Sequence, residues 1–308
     1  MMSRKLLGEY LVLHGEYRTQ PFTLEKTSQL LATPSSKLRN ELYKMRKNLA
    51  LQHPKRGVYR TIDPDKWIGL AMGVQRFPEL MPVFQTIQPR LHHIKSIMIY
   101  GSRVRGDYRE DSDYDLLLVT DGSPMLSEEE INALKKQGFE LDFGSELDLR
   151  KEIQDTPVSI VPILKEAWPL FNRYVRNSLL KGYRERHLLK DLKRLSRTII
   201  TNKYTAQGSM KADTKRSFLF LSLDASRQLC LMETLLGQKP FTTQRWLDKT
   251  SRAWGMKPDE VRRLYRIYKE VEREKKPRMD YLTSEKARSI VEGNIQYLDA
   301  IMKIWEEE

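Results

Sequence analysis

Two apolar runs joined by a short polar segment constrain this chain more than any other part of its sequence. The runs are Ile97–Tyr100 and Leu116–Val119, and the segment between them begins with Gly101-Ser102 and ends with Asp113-Tyr114-Asp115. Apolar runs of this length next to turn residues are typical of buried strands. The sequence therefore predicts two core strands, connected through a turn and a short helix over residues 103–109.

The two ends of this polar segment have residue types that suit phosphate and metal chemistry. A Gly-Ser pair between a strand and a helix exposes backbone N–H groups to which phosphate oxygens bind, and glycine allows a close approach. Asp113 and Asp115 are two residues apart at the start of a strand, so alternation directs both carboxylates to one side. Such a pair suits Mg²⁺, which binds one or two carboxylates together with substrate phosphates. Two such ions stabilise the attacking and leaving oxygens of an in-line displacement.

The same segment resembles the nucleotidyltransferases of the DNA polymerase β superfamily. In that family an apolar residue precedes Gly-Ser, and Asp-x-Asp follows after roughly ten residues; here ten residues separate Ser102 from Asp113. The resemblance covers residues 97–119 closely and 70–172 loosely. It implies an NTP such as ATP as donor, Mg²⁺ or Mn²⁺ as cofactor, and transfer of a nucleoside monophosphate to an acceptor hydroxyl.

Arginines and a third carboxylate would complete a site of this kind. Arg103 and Arg105 follow the Gly-Ser turn and either is placed to meet the triphosphate, although a solvated helix surface is the alternative. The family usually has a further acid on a later strand, as a metal ligand or base. Residues 138–143 alternate like a half-buried strand, so Asp142 is the preferred candidate and Glu140 the second.

In another interpretation, this chain lacks the third carboxylate of the family. Residues 157–162 also have the pattern of a strand, and in some relatives such a strand bears the acid. Ser159 would then stand where an aspartate is expected. A missing third acid would leave catalysis in doubt.

The first 66 residues predict a separate compact unit. Helices followed by two strands are expected over residues 4–13, 23–31, 35–48, 49–53 and 58–62. Thr23 is the expected N-cap of the second helix, and Ser35 or Ser36 that of the third. A turn over residues 54–57, which contains Lys55 and Arg56, joins the strands.

This order of elements resembles a winged helix-turn-helix domain, in which the third helix enters the DNA major groove and the hairpin contacts the backbone or minor groove. The resemblance implies that duplex DNA is a partner. The residues that it places against DNA are Ser36, Lys37, Arg39, Asn40, Lys44, Lys55 and Arg56. Winged helices also dock proteins, so a structural or protein-binding role is the alternative.

The chain as a whole is expected to be an α+β multidomain protein. We predict a winged helix over residues 1–66, a mixed-sheet nucleotidyltransferase domain over 67–172 with a helical linker at 67–95, and a helical bundle over 173–308. The bundle is expected to be preceded by a helix that starts near Trp168. Tyr204 and Trp246 are among aromatic residues that could stack on a base, although aromatic residues at helical spacing more often lie in the core.

Charge and composition indicate which classes of partner this chain can bind. Residues 1–66 contain 13 Lys and Arg against 6 Asp and Glu, residues 67–172 contain 11 against 17, and residues 173–308 contain 30 against 18. Basic ends favour polyanions such as nucleic acid. No apolar run is long enough for a membrane span, and we expect no signal peptide. The single cysteine, Cys230, is expected in the core of a cytoplasmic protein.

These observations predict a nucleotidyltransferase that acts on RNA, a protein side chain or a small molecule and has a DNA-binding N-terminal domain. The competing hypothesis is a DNA-binding regulator, or a component of a toxin–antitoxin pair, whose transferase domain senses nucleotide or is inactive. The two hypotheses differ in whether NTP is consumed.

Overall fold

The computed structural model describes residues 2–108, 110, 112–123, 126–208, 210–237, 240–272 and 277–307. The chain divides into two compact units. Unit 1 comprises Met1–Val104, Tyr108–Asp148 and Glu166–Leu179. Unit 2 comprises Arg105–Asp107, Leu149–Lys165 and Leu180–Glu308. The domain boundaries after residues 66 and 172 stay predictions.

Unit 1 begins with three helices and a small sheet. Its elements are α1 (Arg4–Tyr17), β1 (Phe22–Thr23), α2 (Leu24–Leu30), α3 (Ser35–Lys47), β2 (Leu51–Lys55) and β3 (Val58–Thr61). The strands pair antiparallel in the order β1-β3-β2. The predicted helices and hairpin are found. The two-residue strand β1 is an addition that the sequence did not predict, because it is too short for a period-2 pattern.

The predicted caps have different outcomes. The Thr23 hydroxyl accepts a hydrogen bond from the backbone N–H of Lys26 at 3.4 Å, as expected for an N-cap. The prediction that Ser35 or Ser36 caps α3 is wrong, because Pro34 occupies the N-cap position and no side chain caps the helix. The Pro34 carbonyl instead accepts from the backbone N–H groups of Lys37 and Leu38, each at 3.0 Å.

A helical connection leads to the larger sheet of unit 1. It consists of α4 (Pro64–Arg76), a 3₁₀ turn (Pro78–Leu80), α5 (Met81–Ile87) and a second 3₁₀ turn (Gln88–His93). The side chain of Asp63 caps α4, and Pro64 occupies its first turn, where a missing N–H costs nothing. The predicted interruptions near Pro78, Pro82 and Pro89 are found.

The larger sheet is mixed, as predicted. Its strands are β4 (Ile94–Tyr100), β5 (Tyr114–Thr120), β6 (Phe139–Ser145) and β7 (Trp168–Phe171), in the order β6-β5-β4-β7. β5 pairs parallel with β6, and β4 pairs antiparallel with β5 and β7. The helix α6 (Ser102–Arg105) follows β4, and α7 (Glu128–Lys135) precedes β6. The predicted helix over residues 103–109 is therefore shorter, and its end at Arg109 lies outside the described residues.

One apolar cluster of unit 1 lies on one face of the larger sheet. Ile97 and Ile99 of β4 and Leu116 and Leu118 of β5 are fully buried and pack with Phe84 of α5. These strand residues alternate, so the next residue on each strand belongs to the opposite face. That opposite face contains the buried Met98 and Leu117 together with polar residues of the candidate site.

Two predictions near residue 160 are wrong. Residues 157–162 form part of helix α9 (Pro157–Glu166), not a strand, and residues 168–171 form β7, not the start of a helix. A short run that is apolar throughout has no period to distinguish a strand from a buried helix. The side chain of Asp191 accepts a hydrogen bond from the Val158 N–H at 2.9 Å and so satisfies an end of α9.

The remaining described elements are helical, which confirms the predicted C-terminal helical region. They are α8 (Glu146–Asp155), α10 (Arg173–Lys181), a 3₁₀ turn (Glu185–His187), α11 (Leu188–Gln207), α12 (Ala212–Leu235), α13 (Thr243–Trp254), α14 (Pro258–Glu272) and α15 (Ser284–Glu307). Cys230 of α12 is fully buried, as predicted. Buried hydrogen bonds join helices here, such as the bond from Trp254 Nε1 to Asn294 Oδ1 at 2.9 Å.

Candidate active site

The turn after β4 has a backbone and surroundings that only glycine fits. Gly101 has a φ of +80°, in the left-handed region that side chains disfavour. A Cβ added to it would lie 1.8 Å from Oδ2 of Asp115. The carboxylate of the second aspartate in Asp-x-Asp therefore lies directly against the Gly-Ser turn.

Glu166 is hydrogen-bonded to the same turn, a contact that the sequence did not predict. The backbone N–H of Gly101 donates to Oε1 of Glu166 at 2.9 Å. The amide that we expected to cradle a phosphate is thus bonded to a carboxylate. A single glutamate 65 positions away, outside any motif, gives no signal in the sequence that it reaches this turn.

Strand register brings several polar side chains to one face of the sheet. Tyr100 of β4 and Glu140 of β6 both pair with Asp115 of β5, and Asp142 pairs with Leu117. Paired residues on neighbouring strands have side chains on the same face. One face of the sheet, opposite the cluster around Ile97 and Leu118, is therefore shared by Tyr100, Asp115, Glu140 and Asp142.

A hydrogen bond across β5 links two members of this face. The hydroxyl of Tyr100 donates to Oδ2 of Asp142 at 2.5 Å. Burial of Tyr100, with the nearby Asp142 carboxylate as the next cause, holds the pKa of its hydroxyl far above the ordinary value. Tyr100 therefore keeps its proton at neutral pH and donates it in the hydrogen bond to Asp142. Asp142 itself is exposed.

The predicted metal ligands do not form a ready three-carboxylate group. Within the described ranges, no set of three His, Cys, Asp or Glu side chains is close enough to hold a metal ion. Asp142 lies two positions further along the sheet than the level of Asp115, about 6.6 Å at strand spacing. Asp113 immediately precedes β5 and is partly buried. The donor chemistry of Asp113 and Asp115 fits a Mg²⁺ ion that also takes oxygen ligands from a bound phosphate.

The predicted nucleotide-binding residues differ in how they are engaged. Ser102 is the first residue of α6 and is partly exposed. Arg103 donates from Nε and Nη2 to the Ser112 carbonyl, at 3.2 and 2.8 Å. Its guanidinium lies 4.4 Å from the ring centre of Tyr114. Arg103 thus holds the segment before Asp113 in place.

Arg105 lies in unit 2 and is engaged there. Its Nε is 3.2 Å from Oδ1 of Asp107, and its guanidinium lies 5.4 Å from the ring centre of Phe241. Contact of Arg105 with a nucleotide stays a prediction.

The residues predicted to face DNA are all exposed. On α3 they are Ser36, Lys37, Arg39, Asn40 and Lys44, and at the tip of the β2–β3 hairpin they are Lys55 and Arg56. The opposite side of α3 is buried through Leu38, Leu42 and Met45. The polar and apolar faces of this helix are therefore the ones that its sequence predicted.

Part of the chain matches a model of a known protein family. Residues 84–176 match the family described as polymerase beta, nucleotidyltransferase. The matched segment contains β4, the Gly101 turn, β5 and β6, and it supports a relationship to the polymerase β superfamily. No curated protein shows a significant match to the chain. None of the described helices has the length and apolar character that a membrane span needs.

Proposed function

We propose that this chain transfers a nucleoside monophosphate from an NTP to an acceptor hydroxyl. One observation carries the proposal: the Asp115 carboxylate lies so close to Gly101 that no side chain fits at that turn. This contact joins the second aspartate of Asp-x-Asp to the Gly-Ser turn, beside the partly exposed Ser102. The match of residues 84–176 to nucleotidyltransferases supports the same activity.

The roles of the residues follow from their positions. Ser102 would donate its hydroxyl to the triphosphate, and Gly101 would give the turn its shape while Glu166 holds its N–H. Asp113 and Asp115 would hold Mg²⁺ or Mn²⁺. When bound, such an ion neutralises charge on the triphosphate during displacement. Arg103 would keep Asp113 in position through the Ser112 carbonyl.

Asp142 is the proposed base. The acceptor hydroxyl would give its proton to the Asp142 carboxylate, and its oxygen would bond to the α-phosphorus. The bond from the α-phosphorus to the bridging oxygen would break, and pyrophosphate would leave. Tyr100, which stays protonated, would orient Asp142 through its hydrogen bond to Oδ2.

Replacement of both Asp113 and Asp115 by Asn tests the transfer directly. We expect pyrophosphate release with each NTP, Mg²⁺ and cellular RNA or protein to fall by at least about 100-fold, since charge stabilisation is the main catalytic device. The melting temperature should fall little, or rise slightly if the two carboxylates repel one another. Asp121→Asn at the other end of β5 is the matched control. Undiminished turnover in the double variant would reject the proposed reaction.

Asp142→Ala separates the base from nucleotide binding. We expect turnover to fall by about 100-fold or more, while the dissociation constant for NTP, measured by calorimetry, stays near that of the parent. Glu140→Ala, on the same strand and face, is the control. A greater loss from Glu140→Ala would move the role of base to Glu140.

We also propose that residues 1–66 form a winged helix-turn-helix domain that binds duplex DNA. The order α1, β1, α2, α3 and a β2–β3 hairpin supports it, as does the exposure of the cations on α3 and at the hairpin tip. Glu41, an acid on α3, faces inward and pairs with Lys5 at 2.9 Å. The outward side of α3 is therefore left with a basic surface.

One observation favours the second hypothesis, a DNA-binding regulator that senses nucleotide. Among the described residues no three metal-binding side chains are gathered. A sensor would bind NTP and change its affinity for DNA without releasing pyrophosphate. Binding of NTP with no turnover on any acceptor would support this alternative over the transfer reaction.

A further inference from the structure

Unit 2 has a basic groove that the proposed reaction does not use. The groove has a volume of about 480 Å³. Helix α11 supplies most of its lining, and α12 contributes one leucine. The lining residues are Lys190, Lys193, Arg194, Arg197, Thr198, Thr201 and Leu221.

The cations of the groove are only half neutralised. Lys190 pairs with Asp155 at 2.7 Å, and Arg194 pairs with the buried Asp191 at 2.6 Å. Lys193 and Arg197 are exposed, and within the described part of the chain no carboxylate forms an ion pair with either. They are four residues apart, so they lie on the same side of α11. Two neighbouring positive charges on one side repel unless an anion lies between them.

An exposed aromatic side chain lies on the same side of α11 as these cations. Lys190, Arg197 and Tyr204 are spaced by seven residues, two helical turns, and therefore lie above one another on one face of α11. Tyr204 is 70% exposed, although the other aromatic residue singled out in the sequence, Trp246, is 2% exposed and in the core. From Lys190 to Tyr204 the line is about 21 Å long.

We propose that this face of α11 binds a single-stranded nucleic acid. Lys193, Arg197 and their neighbours would contact successive phosphates, and a base would stack on Tyr204. A charged groove combined with an exposed aromatic ring is the means by which proteins bind single strands without sequence preference. The surface goes beyond the proposed function and is separate from the duplex-binding face of residues 1–66. It does not depend on nucleotide transfer.

The test uses the full chain with a fluorescent, unstructured RNA of about 12 nucleotides, within the usual size of single-strand sites. Lys37, Arg39, Lys55 and Arg56 are changed to Ala throughout, so that residues 1–66 contribute little. Binding is followed by anisotropy at several salt concentrations, without NTP. We expect Lys193→Ala with Arg197→Ala to flatten the slope of log affinity against log salt by about 1.4, since each phosphate contact contributes about 0.7.

Tyr204 gives a second, independent readout. Tyr204→Ala should weaken RNA binding by about tenfold with an unchanged salt slope, and Tyr204→Phe should bind like the parent, because stacking needs the ring and not the hydroxyl. The matched charge control is Arg266→Ala with Arg288→Ala, two exposed cations on α14 and α15. Melting curves check that each variant is folded.

Three results would overturn the inference. The first is that the parent, the protein in which only Lys37, Arg39, Lys55 and Arg56 are changed, fails to bind the RNA at low salt. The second is that the groove variants bind as tightly as this parent. The third is that the control pair loses as much affinity as the groove pair. Equal binding of a duplex of the same length, with no effect of Tyr204→Ala, would reject the single-strand specificity. Because no NTP is present, these results are independent of whether Asp113 and Asp115 support transfer.

Discussion

Gly101 combines two constraints that an experiment can separate. Its φ of +80° disfavours a side chain, and the Asp115 carboxylate fills the space that a Cβ needs. Gly106, five residues later, has a φ of +82° but no atom within 4 Å of an added Cβ. The two glycines therefore share the backbone conformation and differ in the close contact.

We expect Gly106→Ala to reduce the free energy of unfolding by about 1–2 kcal/mol, the usual penalty of a left-handed residue. Gly101→Ala should cost more, and it should also weaken NTP binding because Asp115 must move. Urea denaturation and calorimetric titration with NTP measure the two effects. Equal losses in both variants would mean that the contact with Asp115 is unimportant.

For individual residues, the sequence predicted the elements near the site and missed contacts between residues far apart in the chain. The strands on either side of the Gly101 turn were predicted, whereas the contact of Asp115 with Gly101 was not. The bonds from Gly101 to Glu166 and from Tyr100 to Asp142 join residues 65 and 42 positions apart. The Asp142 contact depends on strand order and register, and the Glu166 contact depends on where the end of α9 packs. A single sequence specifies neither.

Among the elements, α4 and β7 approach each other unusually closely in unit 1. A Cβ on Gly69 of α4 would lie 2.1 Å from the carbonyl oxygen of Leu170 in β7. Backbone lies against backbone here, so neither partner can turn aside as a flexible side chain would. The helix and the end strand of the sheet are thus held in contact by the absence of a side chain.

Gly69→Ala should therefore separate α4 from β7 and lower the free energy of unfolding by about 1–3 kcal/mol, the range for overpacking. The control is Gly8→Ala in α1, where an added Cβ meets nothing within 4 Å. There the higher helix propensity of alanine should raise stability by up to about 1 kcal/mol. Chemical denaturation measures the free energy of unfolding of both variants. An unchanged free energy of unfolding in Gly69→Ala would contradict the close packing of α4 and β7.

The elements also show where periodicity succeeds and fails. β6 alternates, with Phe139 and Leu141 toward the core and Glu140 and Asp142 outward, and its sequence predicted a strand. Residues 157–162 have no polar face, so the pattern did not distinguish α9 from a strand. β7 contains Pro169, which has no N–H to donate and is tolerated because β7 is an edge strand of the sheet.

The whole molecule has a net charge of +13, and its ends hold the excess. The N-terminal excess is the part that we propose for duplex DNA. About five phosphate contacts would make log affinity fall with log salt at a slope of about −4 to −5. We expect binding to weaken and this slope to flatten when four cations are changed to Ala: Lys37, Arg39, Lys55 and Arg56.

Gel-shift titrations at several salt concentrations measure this, with Arg4→Ala and Lys26→Ala as an exposed control pair outside α3 and the hairpin. Transfer to an acceptor other than nucleic acid should stay unchanged in the quadruple variant. A quadruple variant that binds duplex DNA like the parent would make residues 1–66 a protein-docking module. Loss of binding in the control pair alone would place the DNA on another surface.

The burial of Cys230 has a practical consequence for the whole chain. It is the single cysteine, it lies fully buried on α12, and burial raises the pKa of its thiol. A thiol reagent needs an accessible thiolate, so it reacts only when α12 opens. The rate at which the native protein is alkylated therefore measures how often this helix opens. Mass spectrometry follows the reaction without any label or substitution.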